Sequence, residues 1–293
     1  MHWHTLQKER EGDSRMNDVQ NVILDIYKTV LKICQRNNIK FYAIGGTCIG
    51  AVRHSGFIPW DDDLDIAVPI QDYDRFWKIM RSELPEHLSV YTCNEIREFG
   101  CIFGKIHNIH TSFIENINLY SPKAYKGIMM DVMPIASIPE DKKTQKAFYR
   151  KLFIYDRLNY VFRFPFRGMD SVKKKISWIL TRPFVAILGY SYFSKKWISL
   201  LEAYPLGSTN TTGYTWCAKD TETLRFPIKD FSDTVWLDFE DTKISCPIGY
   251  DDYLTRQFGT YMELPPEDKR IQHPVYVVDT KKSFKEYQME KQI

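Results

Sequence analysis

Between residues 61 and 68 acidic and apolar side chains alternate, with Asp61, Asp63 and Asp65 on one side and Leu64, Ile66 and Val68 on the other. A period of two is the signature of a half-buried strand, whose successive Cβ atoms point to opposite faces. Such a strand must lay its aliphatic face on a core and crowd three carboxylates together on the other. Like charges at that spacing resist ionising together, so a positive group is expected among them. Mg²⁺ or Mn²⁺ fits best, being a hard cation that takes carboxylate oxygens and keeps positions open for phosphates. An acidic run can also be a solvated sheet edge that discourages pairing. The same acids match the opening of a calcium loop, with Asp72 at its twelfth position, but Ile66 stands where that loop needs Gly. Asp62 is expected to point away from the other three and to play a supporting role.

The flanking sequence gives these acids company. Residues 17–36 carry Val19, Val22, Ile23, Ile26, Val30 and Ile33 at the helical period, opened by an Asn17/Gln20 capping box. Residues 40–44 read as a short strand running into Gly45 and Gly46, where the backbone can turn or approach a ligand, and a helix follows over 47–52. Further strands are predicted at 89–92, 101–106, 111–114 and 127–132, and helices at 73–81 and 142–159. This intermixing indicates an α/β (α+β) fold, a mixed sheet with flanking helices. Asp131 sits in the apolar run 128–135. A Gly-Gly turn, an Asp-x-Asp strand and a later strand Asp, in that order, is the arrangement of nucleotidyltransferase-like folds, in which glycine N–H groups hold phosphate and carboxylates hold metal.

The chain is predicted to divide into a flexible extension (1–16), a catalytic core (17–140), a helical insertion (141–200) and a C-terminal part that completes the same domain (201–293). Within the insertion, residues 176–193 are rich in Trp, Ile, Leu and Phe and are flanked by Lys173, Lys174, Lys175, Lys195 and Lys196. Arg182 and Pro183 interrupt the stretch, leaving it short of the roughly 20 apolar residues a membrane span needs. It reads either as two core helices joined at Arg182-Pro183 or as an interfacial patch on a membrane. With 40 basic against 37 acidic residues, bulk charge does not indicate nucleic-acid binding. The six cysteines form no CxxC pair, and the polar start has no apolar run of a secretory signal, so a reduced, cytoplasmic setting is expected, peripheral at the inner face of the membrane if residues 176–193 form the interfacial patch. His2 with His4, and His107 with His110, lack further ligands nearby and are read as incidental.

Several stretches resemble the LicD family of phosphocholine transferases, which is similar to the fukutin-related phosphotransferases. They are YAIGGTCIGAVRH (42–54), GFIPWDDDLDI (56–66), FGKI (103–106) with Thr111 and Glu115, MDVMP (130–134), and YLTRQFGTYMELPP (253–266) with Arg270 and His273. Phe258 stands where the last motif often has Tyr. The resemblance implies a nucleotidyltransferase-like fold, dependence on Mg²⁺ (or Mn²⁺), and transfer of phosphocholine or a similar alcohol phosphate. The donor would be CDP-choline or another CDP-alcohol. The acceptor would be a sugar hydroxyl of a surface glycan such as lipopolysaccharide, teichoic acid or capsule, in places lipid-linked, and CMP would leave.

On this reading Asp61, Asp63, Asp65 and Asp131 form the metal site, with Asp63, Asp65 and Asp131 catalytic and Asp131 either a ligand or the base that takes the hydroxyl proton. Gly45, Gly46, Arg53 and Lys105 are expected to contact phosphate, as are Arg270 and His273 from a loop folding back over the site. His54 is expected to be structural. Trp60 is the first candidate for an aromatic face that receives a quaternary ammonium. Two alternatives use the same acids: a nucleotidyltransferase that releases pyrophosphate, and a catalytically silent glycan-binding protein of this fold.

Overall fold

The computed structural model describes residues 16–92, 94–95, 102–115, 126–163, 166, 171–217, 222–270 and 273–291. Helix α1, Asp18–Arg36, starts at a reciprocal cap in which Gln20 N donates to Asn17 Oδ1 (2.9 Å) and Asn17 N donates to Gln20 Oε1 (3.1 Å). Its apolar stripe, from Ile23 to Ile33, is buried. The cap residue also acts at a distance: Gln20 Nε2, wholly buried, donates to the carbonyls of Ile58 (3.1 Å) and Asp61 (2.8 Å). The first turn of α1 thereby holds the chain that leads into the acidic segment.

The main sheet is built around two parallel neighbours, β2 (Asp65–Pro69) and β6 (Met129–Ser137). To one side β1 (Tyr42–Ala43) pairs antiparallel with β2, and to the other β4 (Gly104–Asn108) and then β3 (Leu88–Tyr91) continue from β6. Strands β7 (Thr211–Gly213) and β8 (Arg225–Pro227) extend it from the far end of β6. Helix α2 (Gly45–His54) follows β1, and α3 (Ile70–Glu83) follows β2. Because β2 and β6 are central, their residues are almost continuously apolar and buried, as Ile66, Val68, Val132 and Ile135 show. Strand β5 (Ser112–Glu115) pairs with the late strand β11 (Val275–Asp279), and β9 (Thr234–Phe239) with β10 (Thr242–Pro247) forms a hairpin. Helix α7 (Tyr250–Phe258) buries Tyr253 in an aromatic cluster with Phe226 and Phe231. The mixed α/β architecture expected from the sequence is the one observed.

Two local expectations fail. The acidic segment is not a strand from residue 61: pairing begins at Asp65. Asp61 N bonds back to Ile58 O in a turn (2.9 Å), and Gln20 takes the carbonyls of Ile58 and Asp61, so both backbone groups of Asp61 are engaged away from the sheet. The middle segment does not break at Arg182-Pro183 either. Helix α5 (Val172–Leu188) runs through Pro183, and the break falls at Gly189, whose φ of 79° suits a residue without Cβ, before α6 (Tyr190–Glu202). Proline removes one backbone bond and crowds the preceding turn; an exposed helix flank can bend to absorb that. Helix α4 (Lys142–Arg163) packs against both α5 and α6.

Gly104, the first residue of β4, shows how tightly the sheet is filled. Its N–H donates to the Tyr73 hydroxyl (3.0 Å), and a Cβ there would stand 2.1 Å from the Trp77 ring. Gly104→Ala is therefore expected to destabilise the fold by about 1–3 kcal/mol through overpacking. An unchanged denaturant midpoint would contradict this packing.

Candidate active site

The register of three strands sets the centre of the site. Asp65 pairs with Asp131 across the parallel strands, and Asp131 pairs with Lys105 across the antiparallel ones. Cross-strand partners share a face, so these side chains form one row. Lys105 Nζ lies 2.8 and 2.9 Å from the two oxygens of Asp131, an ion pair largely withdrawn from solvent, and 5.6 Å from the Phe103 ring centre. Asp65 is positioned by its backbone, since its N–H donates to Thr47 Oγ1 (2.8 Å). Its Oδ1 is buried without a hydrogen-bond partner.

Asp61 and Asp63 approach the row from the irregular stretch before β2 and hydrogen-bond each other. Burial and then the neighbouring Asp63 push the Asp61 carboxyl up to about 8. Burial also raises Asp63, reinforced by Asp131 and opposed by His273. Asp65 is raised further, by burial and then by Asp63, Asp131 and Asp61. The acids thus lack enough positive charge, as their spacing in the sequence suggested.

The glycines frame the site from above. Gly45 adopts φ 55°, and its N–H donates to the Tyr253 hydroxyl (2.7 Å) and the Tyr214 hydroxyl (3.1 Å), which hydrogen-bond each other. Its amide is therefore already engaged. A Cβ on Gly46 would lie 2.7 Å from Asp61 Oδ2, so only glycine leaves that carboxylate its place. Gly46 and Thr47 occupy the first turn of α2, where N–H groups have no acceptor within the helix.

The remaining expected residues distribute differently. His273 is brought to the acids: its Nδ1 stands 2.7 Å from Asp62 Oδ1, its backbone N–H donates to Asp62 Oδ2 (3.2 Å), and its Nε2 is 3.8 Å from Asp63. The bond to Asp62 raises this imidazole to about 9. Asp62 does not point away, because the stretch before β2 lacks the alternation of a strand; it holds His273 at the site. Arg53 is spent elsewhere, donating to the carbonyls of Tyr261 (2.6 Å) and Glu263 (3.1 Å) and to His54 Nε2 (3.0 Å), and so fastens the loop after α7. Arg270 stacks 4.7 Å from the centre of the Trp60 ring, so the face proposed for a quaternary ammonium already carries a guanidinium. His107 is a buried core histidine bonded to Gly127 O (3.0 Å) and held neutral by burial, at about 3. His2 and His4 lie outside the described residues.

A cavity of about 30 Å³, lined by Asp62, Asp63, Lys105, Glu115, Asp131 and His273 among others, opens at the row. That is room for a single water or ion. The carboxylate oxygens of Asp62, Asp63, Glu115 and Asp131 on its wall, with Asp65 Oδ1 buried and unsatisfied in the same row, suit a hard divalent cation, while Lys105 and His273 put an ammonium and an imidazole on that wall too. Among the described residues no three such groups already converge at coordinating distance. Asp61 and Asp63 would turn from each other to share an ion with Asp65, and Asp131 would leave Lys105 only if it served as a further ligand.

Residues 38–166, which contain the whole row and both glycines, match the family model described as LicD/FKTN/FKRP, nucleotidyltransferase domain. The lipopolysaccharide cholinephosphotransferase LicD of Haemophilus influenzae is 27% identical over 276 residues, 89% of this chain and 96% of that protein. The chain carries a LicD-type domain over residues 38–166. Two uncharacterized Rickettsia proteins share shorter stretches: one of Rickettsia typhi is 29% identical over 54% of this chain and 55% of its own length, and one of Rickettsia prowazekii is 39% identical over 23% and 26%. The sequence placed Tyr253 in its last motif without a role, marked Gln20 as a cap, and left Tyr214 unnoticed. A buried tyrosine carries no local mark of the distant amide it will meet, here that of Gly45.

Proposed function

We propose that this chain with its LicD-type domain, an enzyme of the phosphotransferase class, transfers phosphocholine or a similar alcohol phosphate from a CDP-linked donor to a sugar hydroxyl of a cell-surface glycan, releasing CMP. The observation that carries this reading is the row Asp65, Asp131 and Lys105 across three strands, with Asp61 and Asp63 beside it and the α2 N-terminus above. The near full-length similarity to a lipopolysaccharide cholinephosphotransferase supports the choline and glycan assignments.

A divalent cation held by Asp61, Asp63 and Asp65 would neutralise the donor's diphosphate and polarise its phosphorus centre. The protein's own groups do the rest. N–H groups of the first turn of α2 face anionic oxygens, as helix N-termini do. Lys105 places a cation beside the diphosphate while it neutralises Asp131. The sugar hydroxyl attacks the phosphorus that bears the alcohol, its proton passes to Asp131, and the bond from that phosphorus to the oxygen of CMP breaks. CMP leaves with that oxygen and its charge.

Incubating the purified chain with Mg²⁺, CDP-choline and a glycan acceptor should yield CMP and a glycan heavier by one phosphocholine, read by chromatography and mass spectrometry. Pyrophosphate release from a nucleoside triphosphate and an alcohol phosphate, without CMP, would exclude the proposal. Nucleotide binding with no turnover on any glycan would favour a silent member of the fold.

A further inference from the structure

Helix α5 faces solvent with the wrong side. Val172, Ile176, Ile179, Leu180, Phe184 and Ile187 recur at three- and four-residue steps, one stripe along the helix. All six are exposed: Leu180 by 65%, Phe184 by 68% and Ile187 by 80%. A helix of a water-soluble surface shows its polar side outward, so this stripe is built for something other than water. Helix α4, packed against α5, adds exposed Phe153 and Ile154.

Charge selects what covers it. From residue 171 to 201 the sequence has no Asp or Glu and six Lys or Arg. Arg182 lies 5.4 Å from the Trp178 ring and Lys175 5.8 Å from the Phe166 ring, folded along aromatic groups beside the stripe. Aromatic rings with basic side chains flanking an apolar face are the pattern of a helix lying in a lipid headgroup layer. A second copy of the chain would set these cations against their own kind. The helix does not cross a bilayer: it has 17 residues and an internal proline, and among the described residues no helix is long and apolar enough to span.

We propose that α5 docks the protein on an anionic membrane surface, lying in the plane of the bilayer with its apolar stripe among the acyl chains and its basic flanks on the headgroups. The surface is distinct from the acidic row and does not depend on the reaction assigned to it.

The test is co-sedimentation of the full chain with vesicles of phosphatidylcholine alone or mixed with phosphatidylglycerol. The unaltered protein is expected to bind the anionic vesicles at least about tenfold more tightly than the neutral ones, and less so in high salt. Leu180→Glu with Phe184→Glu should weaken binding at least about tenfold. Lys173→Gln with Lys175→Gln and Arg182→Gln should remove the preference for anionic lipid while leaving the apolar stripe untouched. Both sets lie on exposed or half-exposed positions, so an unchanged melting temperature checks the fold. Wild-type protein that stays in the supernatant with anionic vesicles overturns the proposal. So does a solution dimer, seen by light scattering, that Leu180→Glu dissociates in a protein that binds no vesicles. Neither readout involves turnover, so the outcome is separable from that of the phosphotransfer assay.

Discussion

Asp65→Asn is expected to lower turnover by about a thousandfold, equivalent to about 4 kcal/mol of transition-state stabilisation, while raising the melting temperature of the metal-free protein. The two effects have one cause. Asp65 sits in the row with a buried, unpartnered oxygen and with Asp61, Asp63 and Asp131 around it, an arrangement that costs the resting fold. The amide of Asn keeps the shape, removes one like charge and can donate to a neighbouring carboxylate. Relief on the order of 1 kcal/mol would move the midpoint by about 2–4 °C in a chain of this size. Steady-state assays and calorimetry on the same preparation read both. Wild-type turnover in the Asp65→Asn variant would remove Asp65 from the site. Asp131→Asn separates two roles for its carboxylate: loss of a ligand raises the Mg²⁺ concentration needed for half activity, whereas loss of the base lowers the rate at saturating Mg²⁺.

Chelation of divalent ions should abolish turnover, and Mg²⁺ or Mn²⁺ should restore it and stabilise the fold, more at pH 8 than at pH 6. In the metal-free protein Asp61 is raised from 3.8 to about 8 and His273 from 6.5 to about 9. A group whose folded value is raised binds its proton more tightly when folded. Its stabilisation is complete below the unfolded value and disappears as pH climbs through the folded one. Metal-free protein should therefore lose stability from about pH 4 to about pH 9 on account of these two groups. A cation that displaces the acidic protons recovers the carboxylate share of that loss, and protons compete with it at lower pH. Melting curves across pH, with chelator and with Mg²⁺, check the sign. Equal curves at pH 8 with and without Mg²⁺ or Mn²⁺ would leave the carboxylates without the role proposed here.

Much of this architecture was legible from residue order alone. The period of α1, the Asn17/Gln20 cap and the Gly-Gly turn are local signals, written in residues close together in the chain, and they placed helix and turn in the right sequence, whereas the alternation at 61–68 located a strand that forms only from Asp65. The need for positive charge among Asp61, Asp63 and Asp65 was likewise readable, because repulsion at short spacing does not depend on the rest of the fold. Tertiary structure alone decided the partners. Lys105 faces Asp131 because β4 pairs with β6 in one particular register. Strand β2 starts at Asp65 after a turn that Gln20 holds at the carbonyls of Ile58 and Asp61, Gly45 is capped by Tyr253 from some two hundred residues away, and Asp62 turns to His273. Strand register and long-range hydrogen bonds are set by which surfaces meet when the core closes, and no pattern within a single segment records that meeting.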